Sequence, residues 1–257
     1  MKLNKEDKKK LFWQKALKDE MQREYIFDQI ENPKQSTMVF EKFFNKQIST
    51  SNNILDIGGG NGTATQYLAK KHTNVNFTCA DVNDDLIKSG KEIMKNLNIS
   101  NLQFKNIDAF DIEMGVSDDK YDGVISLQTF SFLSEFKQPL EEIFNKIQPK
   151  WIGISSLFYD GNISSFTDIY EHNNDYCYSY NTYSLNQIDK CCKENGYYLS
   201  SWKNFNIDFD LEKPSDPDFM KTYTEKLSKK SDSGKEIRLQ ISGPVLMDWK
   251  NILIEQS

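Results

Sequence analysis

Cysteine and histidine are scarce in this chain: four Cys and two His in 257 residues. Cys79, Cys177, Cys191 and Cys192 contain no C-x-x-C pair, and adjacent Cys191 and Cys192 are a poor metal pattern, which excludes a zinc knuckle or dithiol motif. Free thiols and no metal are expected. No window approaches the roughly 18 uncharged apolar residues of a membrane span. The Lys-rich start, Met1 to Lys10, lacks the apolar run of a signal peptide. These absences give the expectation of a soluble, cytoplasmic protein. Positive charge is not in excess, with 32 Lys and Arg against 38 Asp and Glu and a formal charge of -6. That argues against a nucleic-acid partner, which would need a basic face. The one basic cluster, at the start, reads as a solvated helix end.

Two glycine motifs are also missing. A dinucleotide turn reads G-x-G-x-x-G, but Gly58, Gly60 and Gly62 alternate, leaving Thr63 or Thr65 in the third place. No Lys-Ser or Lys-Thr follows them, so a phosphate-cradling P-loop is absent. What is present is Ile54-Leu55-Asp56-Ile57-Gly58-Gly59-Gly60-Asn61-Gly62, a short apolar strand with an acid that runs into a glycine-rich turn and then a helix. Such a turn brings backbone N–H groups and a helix N-terminus close to a ligand. Asp56 would repel a phosphate and suits a ligand carrying positive charge.

Asp56 to Gly62 resembles the first motif of the class I S-adenosylmethionine-dependent methyltransferases, an acid followed by glycines at alternate positions. The resemblance implies S-adenosyl-L-methionine as cofactor, S-adenosyl-L-homocysteine as product, and Asp56, Gly58 and Gly60 at the cofactor. The next strand candidate, Val75 to Ala80, ends in Asp81, about 20 residues past the glycine turn, where α/β nucleoside sites place a ribose-binding carboxylate. The resemblance gives Asp81 that role and sets Val82 beside the adenine. Asp84 and Asp85 read as the N-cap and first turn of a helix through Leu97. After a third strand, Leu102 to Lys105, the resemblance puts Asp108 and the small Ala109 at the adenine edge; Phe110 reads as core or as a stacking ring. A fourth strand, Tyr121 to Leu127, opens into Gln128, and Leu127 and Gln128 complete the expected cofactor set. Relatives commonly carry a polar residue or a His in the following segment, beside the methyl group. Here Phe132 stands in its place.

The alternation of strands and helices from Asn53 to about Tyr159, the fifth strand being Trp151 to Leu157, predicts an α/β doubly wound fold around a mostly parallel sheet. The resemblance makes it seven-stranded and Rossmann-like, with N-terminal helices and an insertion after strand 5. Residues 1–48 read as a helical cap, with helices to about residue 31 and from Thr37 to Asn45; Trp13, Tyr25 and Phe27 are lid candidates. Residues 49–257 form the cofactor domain. Within it, 160–183 is polar and aromatic, in the place where this architecture builds an acceptor site. A helix follows, starting at the capping box Ser184–Gln187 and stopped by Gly196. Then come a long strand through Phe209, a loop around Pro214 and Pro217, a polar helix to about Lys230, and a last strand after Pro244.

The implied chemistry is displacement at a methyl carbon, favoured by orientation and exclusion of water. A hydroxyl acceptor gains from a base. Of the two histidines, His72 reads as solvated at a helix end, while His172 lies in the acceptor segment and is the catalytic candidate. Tyr159, Asp160, Asp168 and Glu171 are further polar candidates. No Asn-Pro-Pro-Tyr type sequence of the nucleobase amino-group methyltransferases is present, so the expected partner is a small polar molecule, methylated at oxygen. The tail, Leu239 to Pro244 with Trp249, looks like that of bacterial methyltransferases of sugar or surface-glycan precursors. An amine N-methyltransferase, a noncatalytic cofactor-binding subunit and a dinucleotide oxidoreductase are the alternatives.

Overall fold

A computed structural model describes residues 27–112, 120–173, 176–216, 221–231, 234 and 236–257. Helix α1 (Gln35–Ser49) precedes β1 (Asn53–Ile57), α2 (Thr63–Lys71), β2 (Asn76–Asp81), α3 (Asp84–Leu97), β3 (Leu102–Asn106) and β4 (Gly123–Leu127). After a 3-10 turn, Phe130–Phe132, come α4 (Lys137–Glu142), β5 (Trp151–Tyr159), β6 (Asp168–Glu171), β7 (Tyr176–Ser179) and the two-residue β8 (Tyr183–Ser184). The chain ends with α5 (Leu185–Glu194), β9 (Tyr197–Asn204), β10 (Thr222–Lys230), β11 (Glu236–Ser242), β12 (Val245–Leu246) and β13 (Trp249–Gln256).

The main sheet runs β3-β2-β1-β4-β5-β13-β9, with β8 paired to the end of β5. From β3 to β5 every pairing is parallel, whereas β13 is antiparallel to both its neighbours. The expected doubly wound sheet with its seven-strand path is therefore present. Strand order reverses between β1 and β4, and at such a switch point the connections diverge and leave a crevice at the carboxyl edge.

Alternation along the strands explains why both faces are covered. Ile54 packs with Phe40, Phe44 and Ile48 of α1, Leu68 of α2 and Ile87 of α3. Its neighbour Leu55 packs on the opposite face with Leu140 of α4 and with Leu185 and Ile188 of α5. Helix α1 is longer than the predicted Thr37–Asn45 because Phe40, Phe44 and Ile48 continue one i, i+4 stripe, each completely buried. A third cluster, Leu157, Phe205, Met247 and Trp249, with Val39, Tyr180, Ile207 and Val245 against it, joins α1 to the chain's last third.

Several expectations need correction. Asn83, not Asp84, is the N-cap of α3, its side chain accepting from the N–H groups of Asp85 and Leu86. Both Asp residues sit in the first turn, where the helix dipole favours them. Strand β9 stops at Asn204 rather than reaching Phe209; Phe205 N–H makes one more bond to Trp249 O (2.9 Å), and the chain then leaves the sheet. The predicted polar helix to Lys230 is strand β10, paired antiparallel with β11 in a separate three-stranded sheet. Thr222, Tyr223 and Thr224 are good strand formers, Tyr223 is buried, and a cross-strand ionic group, Lys226–Asp210–Arg238–Glu236, holds the pair. His72 is not solvated. Its imidazole is nearly buried, with Nε2 at 3.0 Å from Glu41 and Nδ1 at 3.4 Å from Ser49 Oγ, which ties the end of α2 to α1. The capping box is as expected: Ser184 Oγ accepts from Gln187 N–H at the start of α5.

Candidate cofactor and acceptor site

The glycine turn, Asp81, Asp108 and Gln128 all lie at or just past carboxyl ends of the parallel strands. Gly58, Gly60 and Gly62 all have left-handed φ, +72°, +60° and +77°, a conformation that costs an L side chain about 1–2 kcal/mol. The turn is pinned at its start by Gly58 and Gly59 N–H groups donating to Ala80 O (2.8 and 3.0 Å). Space also forbids side chains: a Cβ on Gly58 would overlap Thr129 Cγ2. Thr129 Oγ1 donates to Gly58 O (2.9 Å), so the segment after β4 is fastened to the glycine turn.

Asp81 sits at the end of β2 with both oxygens engaged by backbone N–H groups. Oδ2 accepts from Gly60 N–H and Oδ1 from Asn83 N–H, both at 2.9 Å. Burial raises its carboxyl above the ordinary range, and the backbone donors Asn83, Gly60 and Val82 oppose that rise. A carboxylate offers about four lone-pair sites, so Asp81 keeps room to accept from a ligand hydroxyl. On the neighbouring strand Ile107 N–H donates to Asp81 O (3.2 Å). Asp108 is exposed in the turn that follows, where Oδ1 accepts from Phe110 N–H (2.9 Å). Ala109 packs on the core beneath. Val82, 58% exposed, offers an apolar wall between these two strand ends. Phe110 is partly buried, and its carbonyl accepts from Gln138 Nε2.

Asp56 lies underneath the glycine turn. It is 1% exposed; Thr65 Oγ1 donates to Oδ2 at 2.5 Å, and Oδ1 has no hydrogen-bond partner among the described residues. Burial pushes its carboxyl up to about 7; the Thr65 hydroxyl pulls the other way, and the Asp81 charge adds to the rise. A Cβ on Gly59 would meet Cys79 Sγ at 2.6 Å and Asp56 Oδ2 at 2.8 Å, so only glycine lets the turn close over this carboxyl.

Gln128 has φ +61°, uncommon for a side chain of its size. Its N–H donates to Ser155 O (2.7 Å); Lys34 Nζ donates to its Oε1 (3.4 Å), and its Nε2 donates to Ser36 Oγ (3.3 Å). The chain entering α1 therefore closes on the end of β4, beside the partly buried Leu127. The Phe132 ring stands 4.7 Å from that of Tyr180, and Tyr180 in turn packs edge-on to Tyr178.

His172 is apart from this group. The hairpin β6–β7 is joined at its base, where Tyr180 N–H donates to Thr167 O (2.8 Å). His172 follows Glu171 in the exposed turn at the other end, about 16 Å along an extended strand. Other polar candidates are engaged structurally: Glu171 accepts from Tyr178 OH (2.7 Å), Asp168 from Ser179 Oγ (3.2 Å), and Asp160 pairs with Lys250 (3.5 Å). Tyr159 is half exposed at the end of β5. Of the lid candidates, Trp13 and Tyr25 lie outside the described residues, and Phe27 is 39% exposed. All four cysteines are buried and outside any disulfide. Sequence reasoning missed Lys34, Ser36 and Thr129, whose partners lie 71 to 94 positions away with no local spacing to announce them, and took Thr65 only as a motif position although its partner Asp56 is nine residues away.

Comparison with known proteins agrees with this geometry. A family model described as "Methyltransferase domain" matches residues 48–227. The malonyl-(acyl-carrier protein) O-methyltransferase of Priestia megaterium is 28% identical over 130 residues, 51% of this chain and 44% of that protein. The ubiquinone/menaquinone biosynthesis C-methyltransferase of Rickettsia felis is 28% identical over 134 residues, 50% of this chain and 53% of that protein. The chain thus spans about half the length of these curated relatives. Among solved structures, the O-methyltransferase from a trans-AT PKS multienzyme of Brevibacillus brevis, in complex with S-adenosyl-L-homocysteine, shares the fold with a TM-score of 0.52 at 12% identity, covering 74% of this chain and 61% of that one. The family match, which takes in the glycine turn and every strand end described above, makes this chain a member of the class I S-adenosylmethionine-dependent methyltransferases.

Proposed function

We propose that the chain transfers the methyl group of S-adenosyl-L-methionine to an oxygen of a small polar acceptor, a sugar-related precursor being the class that fits best. The observation that carries this reading is the convergence of the Gly58–Gly62 turn, Asp81, Asp108 and Gln128 on one sheet edge. In this reading Asp81 holds the ribose hydroxyls, Val82 and Ala109 flank the adenine, and Asp108 with its turn reads the adenine edge. The glycine turn meets the amino-acid portion, whose ammonium lies within the field of Asp56. Leu127 and Gln128 border the methyl group.

An acceptor oxygen lone pair attacks the methyl carbon while the C–S bond breaks and its electron pair goes to sulfur, leaving a neutral thioether. The acceptor proton passes to solvent or to His172, which meets the acceptor only if its hairpin bends over the cleft. Orientation and exclusion of water by the start of α1 therefore supply most of the rate. The donor site is a cytoplasmic one in this reading, in keeping with four cysteines outside any disulfide.

Calorimetry with S-adenosyl-L-homocysteine tests the proposal. The wild type should bind, and Asp81→Ala should lose about 1.5–3 kcal/mol, the range for hydrogen bonds to a charged group, or about 12- to 160-fold in Kd. An unchanged Kd in that variant removes the ribose role.

A further inference from the structure

Around the third core cluster, several buried amide atoms have no hydrogen-bond partner among the described residues. Asn251 on β13 is 1% exposed, and neither Oδ1 nor Nδ2 has a partner among the described residues. Gln240 on β11 is 4% exposed; its Nε2 donates to Phe205 O (3.0 Å), but its Oε1 is unpartnered. Gln35, at the start of α1, bonds Asp208 through Nε2, and its Oε1 is likewise buried without a partner. Buried polar groups are nearly always satisfied, so three such amides close together need an explanation.

Register places them around one patch. Asn251 pairs with Ser155 of β5, and Ser155 with Leu127 of β4. Paired residues share a face, so Asn251 stands on the same face as Leu127, two strand spacings or about 10 Å away. Trp249, two residues before Asn251 on that face, belongs to the cluster with Phe205, whose carbonyl holds Gln240. Gln35 lies one helical turn before Val39, which packs on the same cluster. Tyr180, paired with Phe132, packs there too.

We propose that Asn251, Gln240 and Gln35 form an acceptor subsite that reads the hydroxyl groups of a neutral, polyhydroxylated ring, with Phe132 and Tyr180 packing against its carbon face. This rests on the methyltransferase reading above. An amide both donates and accepts, as a hydroxyl does, so amides pair hydroxyls without requiring charge. The subsite is sealed by the start of α1, through Lys34 and Ser36 on Gln128 and Gln35 on Asp208. Lifting that segment admits the acceptor, and its hydroxyls then supply the missing partners. These side chains position the acceptor; they do not move its proton.

The test uses the full chain loaded with S-adenosyl-L-homocysteine and five probes: D-glucose, D-galactose, uridine-diphosphate glucose, catechol and ethanolamine, with binding read by saturation-transfer NMR. At least one sugar should bind the wild type. Asn251→Leu should weaken that sugar at least tenfold, keep the homocysteine product's Kd within twofold, and melt no lower than wild type, because it removes two buried polar atoms that have no partner among the described residues. Binding of catechol or ethanolamine without any sugar, or of no probe, overturns the proposal. So does an Asn251→Leu protein that keeps the sugar affinity, melts several degrees lower or fails to fold. A wild type that binds no S-adenosyl-L-homocysteine fails the underlying function as well, and that result does not depend on Asn251, so the two failures are distinct.

Discussion

With Asp56 facing the ligand ammonium as proposed above, cofactor affinity should depend on pH near neutrality. Burial holds its carboxyl at about 7 against an ordinary value of 3.8, Oδ2 is occupied by Thr65, and Oδ1 is unpartnered among the described residues. At pH 6 roughly a tenth of the protein carries the Asp56 anion, and at pH 8 roughly nine tenths, by simple titration about a midpoint near 7. A ligand ammonium is stabilised by the anion and not by the neutral acid. S-adenosyl-L-homocysteine should therefore bind about tenfold more tightly at pH 8 than at pH 6, about 1.4 kcal/mol, and release a proton on binding at pH 6. Calorimetry in two buffers of different ionisation enthalpy measures both quantities, with Asp56→Asn as the reference that removes the titration. The ligand-free protein should behave in the opposite sense. A carboxyl whose folded value is raised gives stability that is complete below the unfolded value and lost as pH rises through the folded one. Stability should thus fall between about pH 4 and pH 7, by up to about 4 kcal/mol, with melting temperature following it, and the Asp56→Asn variant should show a flatter slope. Equal affinities at pH 6 and pH 8, or the same pH dependence in Asp56→Asn, would refute the electrostatic role.

Two further perturbations probe the frame around the site. Gly58→Ala forces a left-handed φ on alanine, about 1–2 kcal/mol, and pushes Thr129 off its bond to Gly58 O, about 1 kcal/mol more. Melting temperature should fall by about 4–10 °C and affinity for the homocysteine product should drop with it; a thermal scan showing no change would contradict the contact. Glu41→Gln removes the carboxylate that Lys71 and His72 share. Burial raises the Glu41 carboxyl, but hydrogen bonds from Lys71, Asn45 and His72 outweigh burial and hold it below its ordinary value of 4.5. Its stabilisation is present above pH 4.5 and lost as pH falls through that lower value. Denaturant unfolding at pH 7 should show the variant about 2 kcal/mol weaker, with the gap closing in acid.

The parts of this protein that could be read along the chain are those where neighbours in sequence are neighbours in cause. Asp56 to Gly62 prescribe a strand, a turn of left-handed glycines and a helix, because only glycine takes those angles cheaply. Ile54 and Leu55 face opposite sides because strands alternate, so helices on both faces follow. Asp81 and Asp108 end consecutive strands, and a parallel sheet brings such ends to one edge. Where composition was used without pairing, the reading failed: Thr222 to Lys230 looked like a polar helix until β11 supplied its partner, and His72 looked solvated until Glu41, 31 positions earlier, closed on it.

Sequence alone therefore determined the doubly wound sheet, the glycine turn and the carboxylates at the carboxyl edge of the strands, since each is fixed by backbone conformation or strand order within a few residues. Tertiary structure alone decided that Asp56 supports the turn from below, that Lys34 and Ser36 close on Gln128, and that His172 is carried to an exposed hairpin turn. It also set the amides of Asn251, Gln240 and Gln35, each with an oxygen unpartnered among the described residues, around one cluster. Those arrangements depend on packing between segments distant in sequence, and packing has no period that a single chain displays.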